Sequence, residues 1–320
     1  RGRQSACVFV RKCNRHMRIL LTGSSGFIGK ALTPVLEKYW EVHHLESNLT
    51  DYDKVKQEVK QVNPNIIVHL AARTEVEKSF TEQLSFSEIN YLGTVNLIES
   101  TRQLKNFTSF LFASTMEVYG WQPISDEIKY HGKFTQRQVY DEKTIPNPNA
   151  PYAVAKYACE KYIEYASRAY HFPYTIIRQT NTYGRHDNDF FVTEALITRM
   201  LRSKESINMG YAEPWRNFLY IDDLINIWTK IIAQPTKARG AIITIGPDNA
   251  ISIKDYAELI AKKLNWQGNI EWNKQPKREG EIYWLNSGNK LTQTLYNWTP
   301  EVDLDTGLDK TIAVWKEKLK

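Results

Sequence analysis

Cysteine is nearly absent from this chain. Of the three present, Cys7 and Cys13 fall within the first 16 residues, so the body keeps only Cys159. One thiol builds neither a disulfide framework nor a thiolate metal site; no metal is expected, and a reducing, cytoplasmic setting fits. Long apolar runs are lacking too. None approaches the ~18 residues of a membrane-spanning helix, which argues against a membrane partner. An excess of one charge is missing from most of the chain. The formal net charge is +6, from 42 basic and 36 acidic residues, but Arg1, Arg3, Arg11, Lys12 and Arg15 stand in a stretch without a single acid. Beyond residue 16 the balance is 37 basic against 36 acidic, so the body offers no electrostatic footprint for nucleic acid. The tail's apolar stretch, Ala6 to Val10, is too short for a secretory core. Residues 1–16 are therefore expected to be a disordered or non-native extension ahead of a start at Met17. No internal repeat or low-complexity tract is found.

What is present is an alternation of apolar runs and helical stretches, the pattern of an α/β protein with a doubly wound parallel sheet. Arg18 to Thr22 reads as a buried strand, followed by Gly23-Ser-Ser-Gly26-Phe-Ile-Gly29 and a helix over Lys30–Lys38. Strand, glycine turn and helix form the setting of a dinucleotide site: Gly23 permits the tight turn, Gly26 the approach of a pyrophosphate, and Gly29 the packing of helix on strand. The helix N-terminus then offers free N–H groups to phosphate. A second strand spans Glu41–Leu45. Glu46 stands 17 residues beyond Gly29, where an acid accepts bonds from ribose hydroxyls and repels a 2′-phosphate, which favours NAD over NADP. Further elements are a helix over Tyr52–Val62, a strand at Ile66–Leu70 ending in Ala71-Ala72, and a long helix over Glu82–Leu104. A strand at Phe107–Ala113 carries Ser114-Thr115-Met116-Glu117 at its carboxyl end, where open parallel sheets bind ligands. Residues 121–150 read as an active-site loop. Strands at Tyr174–Arg178 and Ala241–Ile245, and helices at Phe190–Leu201, Ser252–Lys263 and from Leu308 onward, complete the pattern. Asp222 or Asp223 is expected to cap a helix after the extended Arg216-Asn-Phe218 segment.

The helix from Pro151 to Tyr170 carries the chemistry. Proline suits its first position, and Tyr152 and Lys156 stand four residues apart on one face. A cation beside a phenol favours the phenolate, so Tyr152 is expected to have a lowered pKa and to exchange protons near neutrality.

Taken together, these motifs resemble the extended short-chain dehydrogenase/reductase superfamily, and within it the nucleotide-sugar epimerases and dehydratases. The carriers are Gly23-x-x-Gly26-x-x-Gly29, Leu70-Ala-Ala72, Asn90, Ser114-Thr115 before Val118-Tyr-Gly120, Tyr152-x-x-x-Lys156, Asn181-Thr-Tyr-Gly184, Arg216-Asn-Phe218 before Asp222-Asp223, and Arg278-Glu-Gly-Glu281, spread over residues 17–320. The resemblance implies a Rossmann-like NAD-binding domain over 17–180 plus about 217–247, and a smaller nucleotide-sugar lobe over about 181–216 and 248–320. It implies cofactor contacts at Gly23, Ser25, Gly26, Phe27, Ile28 and Gly29, at Glu46, Asn48 and Leu49, and at Leu70, Ala71 and Ala72. Asn90, Ala113, Ser114, Tyr152 and Lys156 complete that set. Substrate contacts are implied at Thr74, Thr115, Asn181, Arg216, Phe218 and Arg278. Tyr152 is then the acid/base on a sugar hydroxyl, Lys156 tunes it and holds the nicotinamide ribose, and Thr115 bridges phenol and sugar oxygen. A homodimer is also expected.

Members of this family share oxidation at the sugar C4 and differ in the fate of the keto-sugar. The Thr115-Met116-Glu117 run departs from dehydratases, which resemble Thr-Asp-Glu, and from decarboxylases, which resemble Thr-Ser-Glu. Met116 can neither give nor take a proton. The Arg278 to Glu281 run resembles UDP-glucose 4-epimerases. A nucleotide-sugar 4-epimerase, working on a UDP-sugar, is the leading expectation. A 4,6-dehydratase or a UDP-glucuronate decarboxylase, kept open by Glu117, is the alternative, ahead of a non-catalytic dinucleotide-binding subunit.

Overall fold

The computed structural model describes residues 16–122, 138–274 and 280–320. The basic tail, most of the loop after Gln122, and Arg278 lie outside the described residues. Short apolar runs form β1 (Arg18–Thr22), β2 (Glu41–His44), β3 (Ile66–His69), β4 (Ser109–Thr115) and β5 (Tyr174–Gln179). Four brief strands follow, β6 (Asn181–Tyr183), β7 (Ser206–Asn208), β8 (Trp215–Arg216) and β9 (Phe218–Tyr220), and then β10 (Ala241–Ile245). The main sheet has the order β10-β5-β4-β3-β1-β2, parallel throughout. The chain therefore reverses direction between β1 and β3, and the carboxyl ends of those strands open the crevice where such sheets take ligands.

Both sheet faces are buried, which is why its strands read as continuous apolar runs. Ile19, Leu21, Val68 and Leu111 face a core shared with the helices Phe27–Leu36 and Ile221–Ala233, centred on Trp228. Their neighbours Leu20, Ile67, Phe110 and Phe112 face Val55, Val59, Leu97, Cys159 and Ile163 from the helices on the other side. A third core joins the helices Val192–Arg202, Ile253–Leu264 and Leu304–Lys318 through Leu196, Met200, Tyr256, Ile260, Ile312 and Trp315. Among the described residues no helix is long and apolar enough to cross a membrane.

Several local expectations are corrected. The first helix begins at Phe27, directly after Gly26. The strand expected over Phe107–Ala113 runs from Ser109 to Thr115, so Thr115 is a strand residue. The long helix over 82–104 is broken by a π-helical turn, Ser87–Leu92, before Gly93–Thr101 resumes α geometry. Neither Asp222 nor Asp223 caps its helix. Tyr220 holds that position, and the Asp223 carboxylate instead accepts the backbone N–H groups of Glu301 (3.0 Å) and Val302 (2.9 Å). A tertiary demand for an acceptor took the acid away from the cap.

His69 ties β3 to its surroundings. Its Nε2 lies 2.9 Å from Thr94 Oγ1, which itself donates to Asn90 O, and its Nδ1 lies 2.7 Å from Thr22 Oγ1, which accepts from Ala71 N. That pattern assigns the proton to Nε2 and leaves Nδ1 as acceptor. Burial first, and the Lys156 charge second, push the His69 pKa down to about 3. The folded chain therefore keeps His69 neutral where the unfolded chain, with an ordinary value near 6.5, takes up a proton. Stability should fall as pH drops below about 6.5 and keep falling towards about 3. Denaturant titrations of a His69→Gln variant should give a flatter stability slope between those limits; parallel slopes would show that His69 is not the acid-sensitive group.

Candidate active site

The helix Pro151–Tyr170 starts with proline at its first turn and ends where His171 adopts a left-handed φ of 55°. This fixes Tyr152 and Lys156 on the buried face, one turn apart. At the end of β4 the Thr115 side chain adjoins the Tyr152 phenol. Thr115 Oγ1 also accepts the Glu117 N–H at 3.2 Å and so starts the 3₁₀ turn Met116–Tyr119. The Lys156 ammonium lies 4.1 Å from the centroid of the Phe112 ring.

The expected lowering of the Tyr152 pKa is not found. Burial pushes it well above its ordinary value, the Thr115 side chain pulls the other way, and the nearby Glu117 charge adds to the rise. Burial likewise pushes Lys156 down to about 8, against the opposing pull of Cys159 and Glu160. Desolvation outweighs the helix-spacing argument because both groups are removed from water.

The glycine turn fits a dinucleotide. Gly23 has φ of 73°, and a side chain there would strike Ala71 N at 2.7 Å, so the turn lies tight against the end of β3. Around Gly26 the only atom near an added Cβ is Gly23 O at 3.3 Å, which leaves that backbone open to a ligand. The helix N-terminus beside it has no side-chain cap and no acid in its first turn, and so keeps its donors and positive dipole end for an anion. Ser25 and Gly26 are exposed, Ile28 lines the adjoining cleft, and Phe27 lies under the Arg185 guanidinium at 4.2 Å. At the end of β2, the Glu58 carboxylate accepts the backbone N–H groups of Glu46 and Ser47, both at 2.9 Å, and Glu46 itself is exposed. Asn48 accepts Thr50 N–H, while Leu49 is buried against Gly93. Asn90, inside the π-helical turn, exchanges two hydrogen bonds with the Arg73 backbone, at 2.8 and 3.0 Å, and so shapes the chain after Leu70-Ala71-Ala72. Such turns recur at functional sites, and no period in the sequence announces this one. Ala113 packs in the core, and the Ser114 hydroxyl is committed to Glu160 at 2.5 Å.

A cleft of about 620 Å³ runs from this crevice into the second set of helices. Thr74, Thr115, Glu117, Tyr152, Asn181, Arg216 and Phe218 all line it. Phe218 also stacks on Tyr256, with centroids 4.0 Å apart, which gives it a core role. Arg216 is held by Ile282 O at 2.8 Å and by the Glu281 carboxylate at 3.1 Å. Met116 is different: it is buried beside Tyr119 and Trp284, and its Sδ lies 2.8 Å from the Thr180 hydroxyl, which also meets Asn217 O and Oδ1. Sequence reasoning missed Asn149, Gln179, Arg185 and Tyr211, which also line the cleft. Arg185 was the findable one, as it directly follows Asn181–Gly184. Its guanidinium lies between the Phe27 and Phe191 rings, 4.2 and 3.8 Å from their centroids.

A doubly wound sheet with an open glycine turn, and a buried tyrosine–threonine–lysine group beside a cleft, define a dinucleotide-dependent α/β enzyme. Residues 19–246 match the NAD dependent epimerase/dehydratase family, and the chain belongs to that family; its cofactor is NAD. It is similar to a putative UDP-glucose 4-epimerase of Methanocaldococcus jannaschii, 28% identical over 92% of this chain and 97% of that protein. It is also similar to a dTDP-D-glucose 4,6-dehydratase of Dictyostelium discoideum, 29% identical over 76% of this chain and 61% of that protein. Among solved structures it resembles the UDP-glucose 4-epimerase of Thermotoga maritima, with a TM-score of 0.82, 24% identity, and coverage of 95% of this chain and all of that one.

If Glu46 meets the adenosine ribose, NAD should bind more tightly than NADP, and Glu46→Ala should narrow the gap. Titration of both dinucleotides into both proteins measures this; tighter NADP binding by the unaltered chain would place the Glu46 carboxylate away from the ribose.

Proposed function

We propose that this enzyme is a nucleotide-sugar 4-epimerase acting on a UDP-sugar through a transient 4-keto intermediate. The observation that carries the reading is the state of Met116. Elimination of water across C5–C6 asks for a base and an acid close together, and the turn after Thr115 supplies one carboxyl, Glu117, next to a thioether buried against Thr180. Epimerisation asks for neither group. Tyr152 takes the proton of the sugar hydroxyl and later returns it, Thr115 orients phenol and sugar oxygen, and Lys156 supplies the charge that favours the phenolate. NAD, held by the glycine turn and Glu46, supplies the reversible redox partner for C4. Arg216 and Arg278 are assigned to the diphosphate, which suits a planar, permanently charged group. Asn181 is assigned to the sugar nucleotide.

The division into an NAD-binding domain (17–180 and about 217–247) and a substrate lobe (about 181–216 and 248–320) is part of the same reading. So is a homodimer, supported by the apolar Leu84, Leu92 and Val154, which are 87%, 50% and 51% exposed. The single described cysteine, buried Cys159, fits a reducing cytoplasm.

The runner-up, a 4,6-dehydratase or decarboxylase, draws on Glu117 lining the cleft. Product NMR after incubation with a panel of UDP-, GDP-, CDP- and dTDP-sugars separates the readings. The expected result is a C4 epimer, with no keto-sugar accumulating. Tyr152→Phe should fold and bind NAD yet lose most turnover, about 10²–10⁴-fold for a positioned proton donor, while Glu117→Gln should lower turnover only modestly. A 4-keto-6-deoxy product or released carbon dioxide, with a large loss in Glu117→Gln, would promote the runner-up.

A further inference from the structure

Behind the proposed proton-transfer pair lies a buried polar tie that the chemistry above does not use. Glu160 sits one turn beyond Lys156 on the same helix face, and it is fully buried. Its Oε1 accepts the Ser114 hydroxyl at 2.5 Å and the Arg178 Nε–H at 3.1 Å, and its Oε2 accepts an Arg178 Nη2–H at 2.7 Å. Ser114 and Arg178 are direct partners in the β4–β5 ladder. One carboxylate thus joins the helix of Tyr152 to two adjacent strands, immediately before Thr115. The Arg178 guanidinium also lies 5.0 Å from the centroid of the Tyr119 ring, at the end of the 3₁₀ turn that carries Glu117.

We propose that Glu160 is a positioning residue: through Ser114 and Arg178 it fixes the register of the Tyr152 helix against β4 and so holds the Thr115 hydroxyl on the Tyr152 phenol. Two arguments carry this beyond a structural salt bridge. An ion pair taken out of water adds little net stability, and apolar side chains of the same volume serve a core as well or better. What it does provide is direction, because three hydrogen bonds to one carboxylate define helix height and rotation in a way that apolar packing does not. The second argument is electrostatic. The groups that bear on Lys156 are Cys159 and Glu160 from its own helix, His69 from β3 and the Phe112 ring from β4. Within this group Glu160 and Cys159 favour the ammonium, and His69 is neutral. Glu160 therefore serves the pair twice, by placing Thr115 and by keeping Lys156 charged.

The inference rests on the reading of Tyr152 and Thr115 as the proton-transfer pair, and the experiment separates the two. Ser114→Ala, Glu160→Gln and Glu160→Asp are compared with the unaltered enzyme and with Tyr152→Phe, using the substrate found in the product panel. Ser114→Ala and Glu160→Gln should each lower kcat about tenfold, the scale of a small misplacement, with KM and NAD affinity nearly unchanged. In Glu160→Gln the alkaline limb of kcat against pH should move down by about one unit, the low end of what a nearby opposite charge does. Glu160→Asp should keep that limb in place and recover part of kcat. An unmoved limb in Glu160→Gln, or a kcat loss that only follows the loss of folded protein, would overturn the proposal. Should Glu160→Gln fail to fold, Ser114→Ala decides alone, because it leaves the ion pair intact; unaltered kcat there would also overturn it. If Tyr152→Phe retains turnover, the proton-transfer reading fails. If it is inactive while the Ser114 and Glu160 variants behave as the unaltered enzyme, only the positioning role fails.

Discussion

The removal of Tyr152 and Lys156 from water is the constraint on which the rest of the site depends. Dry surroundings raise one pKa and lower the other, which favours a neutral phenol and a weakened ammonium. Each pKa unit corresponds to about 1.4 kcal/mol, so desolvation of this size is a substantial resistance to forming the phenolate. The neighbouring Thr115 side chain works against that resistance. In the proposed reaction the cationic ring of oxidised NAD would add a positive charge that favours the phenolate. The dryness of the site would then strengthen every favourable charge interaction there.

The fold serves that constraint by bringing three strand ends to one crevice. Gly23 presses against Ala71, Asn90 clamps the chain beyond Ala72, and Thr115 closes β4 beneath the phenol. The two cores that flank the sheet meet the site from opposite faces. One carries the helix behind the glycine turn, and the other carries Cys159 and Ile163 of the Tyr152 helix. A polar group facing the cleft is therefore anchored by apolar neighbours a few residues away on the same element, which gives the chemistry a rigid support.

Elements whose ends are set by local chemistry were legible in the sequence. Pro151 and Ser252 mark helix starts that the structure keeps, and the apolar run Ala241–Ile245 is a strand to the residue. Features set by distant partners were not. Asp223 gave up a cap for backbone donors at residues 301 and 302, and the π-helical turn at Asn90 answers to Arg73 rather than to any local period. The sign of the Tyr152 shift was misjudged for the same reason. Spacing along a helix places a cation near a phenol, but burial by β4 and its neighbours decides which effect wins. Cleft-lining positions fared in between: motif residues such as Asn181 and Arg216 reach the cleft, while Asn149 and Tyr211 arrive there through tertiary placement alone.

The same geometry fits a likeness to both an epimerase, 28% identical over 92% of this chain, and a dehydratase, 29% identical over 76% of it. Proton exchange at a sugar oxygen needs a tyrosine, a threonine, a lysine and a dinucleotide, and these occupy the glycine turn, the end of β4 and one helix. What happens to the oxidised sugar depends on which acids and bases reach its neighbouring carbons. On the proposed reading those groups come from the turn Met116–Tyr119, whose backbone is fixed at one end by Thr115 Oγ1. A change of one side chain there alters the available proton donors without disturbing sheet, cofactor turn or acid/base helix. Burying Met116 against Thr180 is such a change: it fills the position with a group that packs, and it leaves Glu117 as the turn's carboxyl at the cleft. On the proposed reading, the reaction of this chain turns on that one segment, apart from the proton-transfer group on β4 and its neighbouring helix.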